Sequence, residues 1–132
     1  MKFDRKGFTQ GLRHAAVALA LLAPLGTAHA SDQWTTEERS AFAVSSVLLV
    51  ADWAQTRQIA RKADLFSEAN PVLGAHPSMG RVNAYFATAL LLNYAIGNSL
   101  GTGWRKAWFL GIQSVEASVV QRNLSIGLKL NF

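Results

Sequence analysis

Residues 82–97 read VNAYFATALLLNYAIG and decide the fold. The run carries no charge, and apolar residues fall on nearly every side of a helix drawn through it. It is too long for an ordinary strand, since strands of about 4–8 residues alternate or stop where this run continues. Gly101-Thr102-Gly103 ends it with a turn signal. The segment reads as a helix whose neighbours must cover it on several sides.

Working outward, residues 104–120 (WRKAWFLGIQSVEASVV) form a second apolar segment, and residues 41–54 (AFAVSSVLLVADWA) a third. Polar helix formers carry the latter through Lys62. Ahead of it, Thr35-Thr36-Glu37-Glu38 is a helix-start signal, because a threonine caps free N–H groups and acids suit the first turn. The punctuation is concentrated between residues 63 and 80: Asn70-Pro71, Gly74, His76-Pro77 and Gly80. Proline disfavours helix in the residue before it, so the first helix must stop ahead of Asn70. The spacing predicts helices over 41–62, 82–100 and 104–121, joined by an irregular linker. No internal repeat is visible.

The end of the chain has a different period. Leu124, Ile126, Leu128, Leu130 and Phe132 alternate with Asn123, Ser125, Gly127, Lys129 and Asn131. Period two is strand periodicity. Gly127, Leu130 and Phe132 resemble the terminal strand of outer-membrane barrels. A minimal barrel needs about eight such strands, and one is present. The expectation is an extended tail over 123–132 laid along the helices.

The other end resembles an export signal. Lys2, Arg5, Lys6 and Arg13 precede an apolar run over 15–26, and Thr27-Ala28-His29-Ala30 gives an A-x-A cleavage site after Ala30. The 132-residue chain has a formal charge of +5, but residues 1–30 hold four basic residues and one acid, so the remainder carries +2. A nucleic-acid partner loses its main support, and no phosphate-binding loop replaces it. With no cysteine, disulfides, thiolate metal sites and cysteine nucleophiles are excluded. Beyond residue 30, His76 is the only histidine, and it lies in the linker. No metal or other cofactor is expected. Nor does any serine sit in a G-x-S-x-G or S-x-x-K box.

These features predict an all-α fold: a three-helix membrane-embedded bundle after a signal peptide at 1–30, with residues 31–132 as one domain. Membrane lipid is the expected partner, with another envelope protein or a second copy beside it. Arg57, Arg61, Lys62, Arg81, Arg122 and Lys129 fall at one end of three antiparallel spans. Arg105 and Lys106 fall in the turn at the other, a distribution that follows the positive-inside rule. The polar residues Asp52, Asn83, Asn93, Gln113 and Glu116 are easier to hold in a water-soluble bundle, which stays open as the alternative.

In an antiparallel arrangement Asp52, Asn83 and Glu116 come to similar depth at the linker end. Gln55 and Thr56 share the Asp52 face at i+3 and i+4, and Gln113 lies one turn from Glu116. Glu68 and Asn70 are expected to fold back as a lid over this layer, with Arg57 or Arg61 neutralising the acids. Asp52, Gln55, Thr56, Glu68, Asn70, Asn83, Gln113 and Glu116 form the candidate site. It is either a packing layer or a proton, ion or hydrolytic site. No catalytic residue is assigned.

The blocks Asp52-x-x-Gln55-Thr56, Glu68-x-Asn70-Pro71-x-Leu73-Gly74-x-His76-Pro77-Ser78 and Arg81-Val82-Asn83-x-Tyr85-Phe86, with an N-x-x-x-G tail ending in phenylalanine, resemble small exported and multi-pass membrane proteins of unknown function from proteobacterial genomes and prophages. The resemblance covers most of residues 50–132. It implies a cell-envelope membrane protein marked by Asp52, Gln55, Thr56, Glu68, Asn70, Pro71 and Glu116, and it implies no activity. The inner membrane is the favoured location, with the Phe132 tail keeping the outer membrane open. Three functions follow as expectations. The first is a non-enzymatic protein acting by helix or partner association, in a role that includes phage-related ones. The second is a membrane-embedded hydrolase or proton-linked carrier using Asp52, Glu68 and Glu116. The third is a soluble periplasmic binding module.

Overall fold

The computed structural model describes residues 33–131. The expected signal segment, its cleavage site and Phe132 lie outside the described residues. Three helices follow in order: α1 (Thr36–Arg61), α2 (Met79–Ser99) and α3 (Trp104–Ser125). Helix α1 packs against both others, and the α2–α3 interface is the smaller one. The described residues are all-helical apart from the linker, turns and tail, and contain no strand.

Helix α1 starts five residues before the expected Ala41. Thr35 and Glu38 make a reciprocal capping box: the Thr35 side chain accepts from the Glu38 N–H at 3.1 Å, and Glu38 Oε2 accepts from the Thr35 N–H at 2.9 Å. Helix α2 starts at Ser78, whose hydroxyl accepts from the Arg81 N–H. Helix α3 follows Gly103, held at φ +89°, a left-handed conformation that suits glycine.

The expected tail is shorter than its alternation suggests. Helix α3 continues through Leu124 and Ser125, because Asn123 faces the interior and extends the buried helical face by one turn. Gly127, at φ +93°, then turns the chain. Leu128 is buried, and the Lys129 N–H donates to Gln58 Oε1 at 2.8 Å, tying the tail to α1.

Arg105 holds the end opposite the linker. Its Nε donates to the Gly97 carbonyl at 2.8 Å and its Nη2 to the Leu100 carbonyl at 2.6 Å, closing the C-terminus of α2. Its Nη1 meets Glu38 Oε2 at 3.0 Å, with both side chains buried. Its guanidinium also lies 5.4 Å from the Trp34 ring centroid. Below it, Trp34, Phe42, Tyr94 and Phe109 form an aromatic cluster. A methyl group on Gly97 would meet the Phe109 ring at 2.3 Å, so glycine sets the closeness of α2 and α3. Midway, Asn93 joins all three helices: its Nδ2 donates to Ser45 Oγ at 2.9 Å, and its Oδ1 accepts from Trp108 Nε1 at 3.1 Å.

None of the three helices is long and apolar enough to cross a membrane. The three-span arrangement expected from the sequence therefore has no support in them. Asn83, Thr88, Asn93 and Asn98 dilute even α2, the most apolar of the three.

Replacing Arg105 by lysine tests the clamp. A single ammonium cannot reproduce a fork that reaches three acceptors on two elements. We expect Arg105→Lys to lose about 1–3 kcal/mol of unfolding free energy, as acceptors left unsatisfied do, measured by urea denaturation.

Candidate functional site

The linker end gathers polar groups from every element. Asp52 is supplied by the third quarter of α1 and is buried. Its Oδ1 accepts from Asn123 Nδ2 of α3 at 3.1 Å and from Thr56 Oγ1, one turn along α1, at 3.4 Å. Glu116 of α3 lies close enough to Asp52 for the two carboxyls to act on each other. Burial pushes the Asp52 carboxyl above its ordinary range, and the nearby carboxylates of Glu116 and then Glu68 push it the same way, against the Thr56 hydrogen bond. Burial raises Glu116 as well, while its interaction with Asp52 works in the opposite direction. Two neighbouring acids withdrawn from water favour keeping one proton, because adjacent like charges there repel.

The linker makes contacts other than the ones expected of a lid. Glu68 Oε1 accepts from the N–H groups of Ala69 and Asn70, both at 2.8 Å, and from neither Arg57 nor Arg61. The Glu68 N–H donates to the Ala75 carbonyl at 2.8 Å, joining the two sides of the loop. Asn70 Oδ1 accepts from the Val72 N–H, and the Asn70 carbonyl from the N–H groups of Leu73 and Gly74. The turn carries Leu73 inward onto Val82 and Phe86. Gly74 at φ +78° permits it. Asn70 lies near the Tyr85 hydroxyl, whose pKa rises on burial. Arg81 Nη2 donates to the Val72 carbonyl at 2.8 Å and fastens the linker to α2.

Of the eight candidate residues, Asp52, Thr56, Glu68, Asn70 and Glu116 meet in or around this layer. Asn83 borders it, accepting from Trp53 Nε1 at 3.0 Å while Trp53 stacks on Phe86. Gln55 is fully buried one turn from Asp52. Its Nε2 reaches the Val120 carbonyl at 3.4 Å, and its Oε1 has no hydrogen-bond partner. Gln113 is not brought in: it donates to the Ala41 carbonyl at 2.8 Å, farther along the bundle. The ion pairs expected from Arg57 and Arg61 are replaced by Arg105–Glu38 and an exposed Lys106–Glu37 contact at the opposite end.

Asn123, Tyr85 and Arg122 were missed as members. Arg122 feels the Glu68 carboxylate from the end of α3. Asn123 follows Glu116 by seven residues, two helical turns on one face, a signal masked by the period-two pattern that starts at the same residue. Among the described residues, no group of histidine and acidic side chains is placed to hold a metal ion. Comparison with protein-family models, curated proteins and solved structures finds no match to this chain.

The Asn123 amide supplies a donor to an acid with few partners. We expect Asn123→Leu to lose about 1–3 kcal/mol through the unsatisfied carboxyl. Gln113→Ala, at a half-buried position, should lose about 1 kcal/mol or less of hydrogen-bond free energy. Urea titrations of both variants check the contrast.

Proposed function

We propose that this chain is a non-enzymatic cell-envelope protein that works by association, with lipid as its partner. The observation that carries this reading is the charge-free waist of the bundle. Across residues 40–56, 82–99 and 107–121 the only acidic or basic side chains are the buried Asp52 and the half-buried Glu116 beside it. The waist instead exposes Val44, Val47, Leu91, Leu92, Tyr94 and Leu110, with Val47 67% and Leu91 70% accessible. The buried set includes Glu38, Ser45, Asp52, Gln55, Asn93, Arg105 and Asn123. Water rewards the opposite distribution, and a broad exposed apolar surface marks an interaction site.

Charge bounds the waist at both ends. Glu37, Arg39 and Lys106 lie at one, and Arg57, Arg61, Lys62, Arg81, Arg122 and Lys129 at the other. The excess of cations at the linker end suits anionic headgroups, each worth about 1 kcal/mol near such a surface. The proposal needs acyl chains against the waist and does not need a helix that crosses. The export signal read from residues 1–30 and the resemblance to small envelope proteins agree with this location. A non-catalytic role for the polar interior is supported by its closure: Thr56 is 2% and Asn123 6% accessible, which leaves a substrate little access to Asp52.

Flotation with vesicles containing phosphatidylglycerol tests the reading. The wild-type chain should float with the vesicles, and a Val47→Glu, Leu91→Glu, Leu110→Glu triple variant should remain behind with its helix content retained. A wild-type chain that stays in the aqueous fraction as a monodisperse monomer would instead favour the soluble binding module.

A further inference from the structure

The linker end contains more acid than a packing layer needs. Asp52 from α1, Glu116 from α3 and Glu68 from the linker act on one another, and Tyr85 of α2 feels all three. Arg122 of α3 faces Glu68 from the same end. Donors are scarce. Asp52 Oδ1 takes Asn123 and Thr56, while Glu116 Oε2, Glu68 Oε2 and Gln55 Oε1 are buried with no hydrogen-bond partner. Ionising both members of the Asp52–Glu116 pair would set two negative charges side by side, with the Asn123 amide and the Thr56 hydroxyl already committed to Asp52.

We propose that the Asp52–Glu116 pair is a proton-operated latch. With one proton between the two carboxyls, α1 and α3 are joined and the linker is shut. Without it, the linker end opens. The mechanical connection is Glu68. Its Oε1 organises the Ala69 and Asn70 N–H groups, and Asn70 in turn organises the turn that carries Leu73 onto Val82 and Phe86. Two anions at Asp52 and Glu116 repel the third at Glu68, and displacement of Glu68 releases that turn. The opposite end has no part in this, because Glu38 faces the permanently charged Arg105.

The direction of the pH effect follows from proton binding. Burial first, and then the neighbouring acids, raise Asp52 from 3.8 to about 8; burial raises Glu116 from 4.5 to about 7. An unfolded chain loses these protons near its ordinary carboxylate values. Across the window between, the folded chain binds more protons than the unfolded one, so stability falls as pH rises. The pair's stabilisation is complete only below about pH 4, and it is lost progressively as pH rises to about 8.

Amide hydrogen exchange on the full chain, corrected for the intrinsic base-catalysed rate, reads the latch directly. The Glu68, Leu73 and Gly74 amides should lose at least about tenfold in protection between about pH 6 and about pH 9, while α2 amides near Asn93 keep theirs. Asp52→Asn keeps the acceptor for Asn123 and a donor for Glu116 but cannot ionise, so its linker protection should not change with pH. Glu116→Gln gives the same expectation should Asp52→Asn fail to fold. Linker protection that is flat with pH in the wild type, or that falls equally in the folded neutral variant, overturns the latch.

Discussion

Arg105 is the side chain on which the packing of the three helices turns. Its guanidinium supplies donors to the end of α2, a counter-ion to the start of α1 and a flat cation to Trp34, all from the first turn of α3. Glu38 is committed in return: burial works to raise its pKa, but the Thr35 N–H and the Arg105 guanidinium outweigh burial and hold it below the ordinary value. A charge pair removed from water is a costly way to join helices unless its hydrogen-bonding capacity is filled. Here Arg105 is filled by backbone carbonyls that the C-terminus of α2 leaves free in any case. The clamp thus fixes the turn over 100–103, the α2–α3 approach at Gly97 and Phe109, and the register of α1 against both.

Register fixed at one end places the rest. From the clamp, the bundle carries polar contacts down its axis: Ser45–Asn93–Trp108 in the middle, then Asp52–Asn123 and Glu116 at the linker. Interiors built this way gain specificity from direction, since each amide or carboxyl accepts few partners. They also release the apolar side chains of the waist from core duty. The same feature therefore underlies both the polar axis and the surface proposed to meet lipid.

The helices and the layer at the linker end were legible in the sequence because their signals are local. Apolar runs, the Thr35–Glu38 box, and the Pro–Gly punctuation of the linker each act within a few residues. The depth of Asp52, Asn83 and Glu116 followed from antiparallel geometry alone. Long-range partners were not legible. Arg105 and Lys106 read as turn cations, and nothing near them in the chain announces Glu38 and Glu37, 67 and 69 residues away. Asn123 was hidden because one residue opened a two-residue period while closing a helical face. Arg57 and Arg61 looked like counter-ions for the acids by proximity in sequence, yet Asp52 is answered by the Asn123 amide and the Thr56 hydroxyl.

The apolar waist is proposed to face lipid while the polar axis faces inward. The chain has no cysteine, so single-cysteine spin labels have a clean background. The decisive measurement is the collision rate of labels at positions 47, 91 and 110 with dissolved oxygen and with a water-soluble nickel chelate, in vesicles containing the protein. High oxygen and low chelate accessibility at all three positions is the predicted result. High chelate accessibility there, with the helices intact, would place the waist in water and contradict the account.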